Sequence, residues 1–126
     1  MAYDNIRNQI SRVADADLSY YSWRAVKQSA TAGQCSAFAA STDIPLGILQ
    51  DGDVTGEPVG IVPIGSGGSS QIELAEVIAG GALAAADADG CAVAAAAGSY
   101  TLGLMEVGGN TGDLGQILLN NLIVKA

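Results

Sequence analysis

AEVIAGGALAAADADGCAVAAAAGSYTLGLMEVGGNTGDLGQILL, residues 75–119, is the stretch whose reading decides the fold of this chain. Small apolar runs are cut at short, even intervals by Gly80-Gly81, Asp89-Gly90 and Gly112-Asp113. Glycine accepts positive φ and aspartate caps its own turn, so these residues read as turns between short strands. The rival reading is helical, because alanine is the best helix former and residues 75–97 fit two short helices broken at the same glycines. Four breakers within about 15 residues leave each such helix too short to offset its nucleation cost. Ile, Val, Tyr and Thr flank the breaks, which suits strands. The expectation is a compact β-scaffold whose acidic residues serve turns.

Upstream the same grammar continues. Tyr21, Trp23 and Ala25 alternate with Ser22, Arg24 and Val26, which predicts a strand with the aromatics on one face. Thr31–Gly33 reads as a turn before a strand at Cys35–Ala40, and Asp43-Ile44-Pro45 as a break. Leu46–Leu49 reads as a buried strand, Asp51-Gly52 as the start of a hairpin turn, and Pro58–Ile64 as the next strand. Gly65–Ser70 reads as a flexible loop, followed by a strand with Ile72 and Leu74 inward and Glu73 outward. Tyr100–Val107 and Gln116–Val124 complete the set. Residues 1–20 differ. Ile6, Ile10 and Val13 fall on one face of a short helix capped by Asp4, and an extended arm fits equally well. The division expected is an arm over residues 1–20 and a β-rich body over 21–126.

Composition bounds the function. Of 126 residues, 49% are apolar, but 22 are alanine and 17 are glycine. Alanine buries little area and glycine costs entropy to fix, so the core is thin and self-association is expected to complete it. Net charge is −8. Residues 1–27 hold four basic side chains against three acidic ones; the remainder holds ten acids and only Lys125. Such a body repels nucleic acid and anionic membranes. The start of the chain has no basic-then-apolar signal, and Glu76, Asp87 and Asp89 interrupt the best apolar run, so a soluble protein made in the cytoplasm is expected.

Candidate chemistry is sparse. The chain has no histidine, which removes the commonest general base and zinc ligand. Lys27 and Lys125 stand in no Ser–Lys motif, and the pairs Asp51/Asp53 and Asp87/Asp89 flank glycines as turns require. Asp87-Ala88-Asp89-Gly90 matches the centre of a calcium loop, but Ala85 and Ala96 occupy two ligand positions of that pattern. Gly65–Ser70 lacks the lysine of a phosphate loop. Cys35 and Cys91 are too few for a disulfide framework and read as buried thiols. No enzyme, cofactor or metal site is expected. What remains is an aromatic cluster, Tyr20, Tyr21 and Trp23, bracketed by Arg12 and Arg24 where arm meets body. It reads either as core or as a protein-docking anchor, since Tyr, Trp and Arg dominate interface hot spots.

Ile78-Ala-Gly-Gly-Ala-Leu83, Asp87-Ala-Asp-Gly-Cys-Ala-Val93, Tyr100-Thr-Leu-Gly-Leu-Met-Glu106 and Gly112-Asp-Leu-Gly-Gln-Ile-Leu118 together resemble the head-decoration, or capsid cement, proteins of tailed bacteriophages. Ile44–Leu49 and Gly60–Ile64 are similar to the upstream strands of that family. The resemblance spans roughly residues 25–124 and rests on small residues and turns. It implies a mainly β fold, a small β-barrel or β-sandwich of β-tulip type, commonly trimeric. It also implies a place on the outer capsid surface of a virion, tying neighbouring major capsid subunits together. Capsid contacts would come from the arm and anchor: Tyr3, Ile6, Arg7, Ile10, Arg12, Tyr20, Tyr21 and Trp23. A virion-displayed module binding carbohydrate or a host surface is the alternative.

Overall fold

Three adjacent apolar pairs set the architecture: Ala25-Val26, Ile48-Leu49 and Ile61-Val62. Successive strand residues point to opposite faces, yet every member of these pairs is buried. Their strands are therefore covered on both sides. The computed structural model describes residues 9–119 and 123–125, and it shows how. Val26, Leu49 and Ile61 join one core with Ala14, Leu18, Tyr21, Cys35 and Val59. Ala25, Ile48 and Val62 join a second core with Ile72, Leu102, Met105 and Ile117.

The first core fills a closed barrel. Its strands are β1 (Ile10–Ala14), β2 (Ala25–Gln28), β3 (Gln34–Ala37), β4 (Gly47–Asp51) and β5 (Pro58–Pro63), in spatial order β1-β3-β2-β4-β5. β1 closes it, parallel to β3 through Ala14↔Cys35 and antiparallel to β5 through Ile10↔Ile61. The second core lies between that wall and a five-stranded sheet. Its strands are β6 (Ser69–Glu73), β7 (Leu83–Ala86), β8 (Ala92–Ala94), β9 (Thr101–Val107) and β10 (Leu114–Leu119), ordered β6-β10-β9-β7-β8. All named pairs within it are antiparallel. Leu74, directly after β6, forms a parallel bridge to Ala92, and the Ala75 amide donates to the Ala92 carbonyl at 2.9 Å. The free edge of β8 is thus covered, which blunts edge-to-edge pairing.

The alanine-rich region is strand, with β7 and β8 in its middle, and the described residues contain no helix. Sheet pairing and the glycine turns outweigh alanine's helical preference. Other expectations need correction. Ile10 and Val13 lie in β1, so residues 10–14 are neither helix nor detached arm. Three residues apart, Ile10 and Val13 point to opposite faces of the strand, and it is Ile10 and Ala14, four apart, that pack together on the barrel core. The body therefore begins before residue 21. Ile6 and the Asp4 cap lie outside the described residues. The strand expected from Tyr21 starts only at Ala25, because Trp23 takes φ 69°. Ser69 and Ser70, expected in a loop, open β6: Leu118 pairs with Ser69, and the Ser70 hydroxyl accepts from Gln50 Nε2 at 2.9 Å. The tight turn of the β4–β5 hairpin falls at Val54–Gly56 rather than at Asp51-Gly52. A Cβ on Gly52 would overlap the Leu18 carbonyl, so that glycine serves packing.

Candidate functional site

The segment that joins β1 to β2 within the barrel carries the aromatic cluster. Ser19 caps its start, with its amide and hydroxyl donating to Asp17 Oδ1 at 3.0 and 2.7 Å. Tyr20 follows with 68% of its surface exposed. Its ring stands edge-on to Tyr21, centroids 5.9 Å apart at 89°. Tyr21 is the reverse, 3% exposed and part of the barrel core. Its hydroxyl accepts from the Phe38 amide at 3.1 Å. Burial raises its phenol pKa to about 12 despite that bond and the nearby guanidinium of Arg24. Tyr21 is therefore a structural post, and Tyr20 the ring it supports.

Trp23 is the strained residue. Its φ of 69° lies in the left-handed region that bulky side chains rarely adopt, at a cost of about 1–3 kcal/mol. Two hydrogen bonds hold it there. The Trp23 amide donates to the Leu49 carbonyl of β4 at 2.8 Å, and its carbonyl accepts from the Glu73 amide of β6 at 2.9 Å. One residue thus pins barrel to sheet, and its indole is left half-buried. Arg24 reinforces the same seam. Its Nε and Nη2 donate to Glu73 Oε1 and Oε2 at 3.3 and 3.4 Å, and its guanidinium carbon lies 5.3 Å from the Tyr21 ring centre. Gly90 closes the third side: its carbonyl accepts from the Ala25 amide at 2.8 Å. With φ +79°, a Cβ there would strike the Tyr21 hydroxyl and sit 2.6 Å from the Ala25 carbonyl. Only glycine fits.

The expected anchor residues do not all meet. Tyr20, Tyr21, Trp23 and Arg24 form one constellation. Ile10 and Arg12 sit apart on β1, both half-buried, with Arg12 Nη1 donating to the Ser11 carbonyl at 2.9 Å. Tyr3, Ile6 and Arg7 lie outside the described residues. Sequence reasoning missed Glu73, whose only signal was an acidic residue facing outward between Ile72 and Leu74.

The carboxylates are turn builders. Asp87 Oδ1 accepts from the amides of Asp89 and Cys91 at 2.9 and 3.0 Å. Asp43 Oδ2 accepts from the amides of Ala39 and Ala40 at 2.8 and 3.0 Å and from Lys27 Nζ at 3.0 Å. These donors hold the Asp43 carboxyl below the usual range. The open groove beside it, about 490 Å³, is lined by Lys27, Thr42, Ile44 and Leu46 among others. Among the described residues no cluster of three metal-ligating side chains occurs. Cys35 and Cys91 are unpaired and buried, and burial pushes both thiols up, Cys91 to about 11.

The fold recurs in a bacteriophage head fiber. The N base of head fiber gp8.5 of bacteriophage phi29 superposes with a TM-score of 0.70, covering 96% of this chain and 100% of that one. Sequence identity is 17%, so the likeness lies in the fold. No family model and no curated protein sequence matches the chain.

Proposed function

We propose that this chain is a structural subunit of a bacteriophage virion, carried on the head. The observation that carries the reading is the end-to-end fold match with a phage head-fiber base, whose whole length this chain spans. The finer form of the reading is a cement or decoration subunit. It would bind the outer face of the major capsid protein, tie neighbouring capsid subunits together and act as a homotrimer without enzymatic activity. Many modest contacts would then sum through effective concentration.

In this reading Tyr20 is the anchor, with Trp23 beside it on the same loop. Strain retained at a half-exposed tryptophan, and an exposed tyrosine braced by a buried one, suit a loop selected for what it touches. Removing residues 1–18 is no test, because it deletes β1 and the buried Leu18. Point changes are better. Tyr20→Ala leaves the fold intact and lowers co-sedimentation with heads lacking the protein by at least about tenfold, as loss of a hot spot does. Trp23→Gly relieves the positive φ, so the melting temperature holds while head binding falls. Wild-type protein that fails to sediment with heads ends the reading. Variants that bind as wild type does end the anchor assignment. A virion-displayed carbohydrate-binding module is the second reading, favoured by the same exposed ring of Tyr20. Tyr20-dependent binding to polysaccharide without heads would put it first.

A further inference from the structure

Two loops meet at the end of the barrel that bears Tyr20. The segment between β1 and β2 lies against the turn between β4 and β5: the Leu18 amide donates to the Asp53 carbonyl at 2.9 Å, and the Gly52 amide to the Ser22 hydroxyl at 3.0 Å. Each loop leaves an apolar side chain in the open, Tyr20 at 68% and Val54 at 49% exposure. Acidic side chains stand around them. Of the six carboxylates between residues 9 and 63, Asp15, Asp17, Asp51, Asp53 and Glu57 belong to this end, and only Asp43 lies elsewhere. The turns at the other end, residues 29–33 and 65–68, carry no charge. The cations of the barrel are engaged away from the five: Arg24 and Lys27 pair with Glu73 and Asp43, and Arg12 donates to the Ser11 carbonyl. Among the described residues none of the five carboxylates has an ion-pair partner. The Ser19 hydroxyl and amide hold the Asp17 carboxyl below its usual range, so it stays charged.

We infer that this end docks on a cationic protein surface, with Tyr20 and Val54 as its apolar centre and the five carboxylates as its rim. The inference rests on the head-binding reading above and adds the chemistry of the partner that the Tyr20 loop meets. Carboxylates alone serve solubility, but these surround exposed apolar side chains, which is how a docking surface with a polar rim is built. Their charge is gathered on one end of the barrel and left uncompensated. It therefore attracts Lys and Arg and repels nucleic acid and anionic membranes. Among the described residues no three of them converge as metal ligands do. The complement is thus a spread of basic side chains rather than one ion.

Co-sedimentation with heads lacking the protein tests this across about 20 to 500 mM NaCl, where screening of exposed charges becomes strong. Affinity is expected to fall at least about tenfold over that range. At the lowest salt, Asp17→Asn combined with Asp53→Asn weakens binding about threefold or more. Both asparagines keep the side-chain oxygen that each turn uses as acceptor. Asp43→Asn combined with Glu106→Gln removes the same charge elsewhere and leaves binding unchanged. Head binding that depends on Tyr20 but ignores both salt and the Asp17/Asp53 variant overturns the inference and leaves the head reading standing. Should wild-type protein not sediment with heads at all, octalysine decides, because Trp23 is the one tryptophan of the chain and reports this end by fluorescence. A saturable change that the Asp17/Asp53 variant loses and the Asp43/Glu106 variant keeps supports the inference without heads. Equal titrations of the two variants overturn it.

Discussion

The barrel and the second sheet are built from strands of similar length, but they treat their two faces differently. β2, β4 and β5 bury both faces, one on the barrel interior and one on the sheet. β7, β9 and β10 bury one face and on the other set Leu83, Val107 and Leu114 beside Glu106 and Gln116. The barrel region holds Arg12, Arg24 and Lys27, two of them tied into ion pairs. Strands β7, β8, β9 and β10 together hold one charge. The barrel wall thus packs on both sides, whereas the sheet packs on one and leaves a mixed apolar and polar face outside. The shared wall also makes the two halves one packing unit, since no strand of it can leave without opening both cores.

Substitutions in that wall test the claim most severely. Ile48→Ala removes a side chain from the second core and Leu49→Ala one from the barrel, and each is expected to cost about 2–5 kcal/mol. Both variants should keep a single denaturant transition followed by tryptophan fluorescence and circular dichroism. Two separated transitions in either would show that barrel and sheet unfold independently, which breaks the shared-wall argument. Smaller, but sharper, is a pair of glycines. Gly90 and Gly67 have nearly the same φ, +79° and +78°, but a Cβ on Gly67 meets nothing within 4 Å. Gly67→Ala is expected to cost about 1 kcal/mol for its backbone alone. Gly90→Ala adds the collision with Tyr21 and Ala25 and should cost at least about 1–3 kcal/mol more, the range for overpacking. Equal thermal shifts would mean that the Gly90 seam yields without loss.

Much of this was legible in residues 75–119. Glycine-aspartate turns at short intervals specify strands whatever the alanines prefer, because turn geometry is local and needs few residues. The inward placing of Ile72 and Leu74 followed from alternation alone. The boundary at residue 20 was not legible. β1 joins β3 and β5, 20 or more residues away, and no local pattern of Ile10, Arg12 and Ala14 announces a closing strand. Trp23 misled for a related reason: alternation from Tyr21 to Lys27 is that of a strand, but two long-range hydrogen bonds impose a left-handed turn inside it. The aromatic cluster was visible as composition, whereas its division into a buried post and an exposed ring depends on the barrel that receives Tyr21.

Alkaline titration separates the seam from both regions. Burial pushes the Tyr21 phenol up to about 12 and the Cys91 thiol up to about 11, above their ordinary values of 10.0 and 9.0. The folded state therefore holds these protons more tightly than the unfolded one. Their contribution is fully present below the unfolded values and is lost as pH rises through the folded ones. Stability should fall by about 1–3 kcal/mol between roughly pH 9 and 12, after discounting for partial screening. Cys91→Ala should flatten the lower part of that window and Tyr21→Phe the upper part. A wild-type profile level to pH 12 would show that neither group is desolvated. The same burial keeps both thiols unreactive: a thiol reagent at pH 8 should modify neither cysteine until denaturant is added.

The smallest effect belongs to the β3–β4 loop of the barrel, at the opposite end of the pH scale. Asp43 is held ionised by the Ala39 and Ala40 amides and by Lys27, so its folded pKa lies below the ordinary 3.8. A depressed carboxyl contributes stability above its unfolded pKa and loses it as pH falls through the folded value. The acid limb of the wild-type stability curve below about pH 4 should therefore be steeper than that of Asp43→Asn, which keeps the loop's size but cannot ionise. At neutral pH the variant should be slightly less stable, because an amide oxygen is a weaker acceptor for two backbone donors and an ammonium. Identical acid limbs would place the carboxylate free in solvent. The loop carrying the exposed Ile44 would then lack its brace, and the two-sided packing of the barrel wall would not extend to its connections.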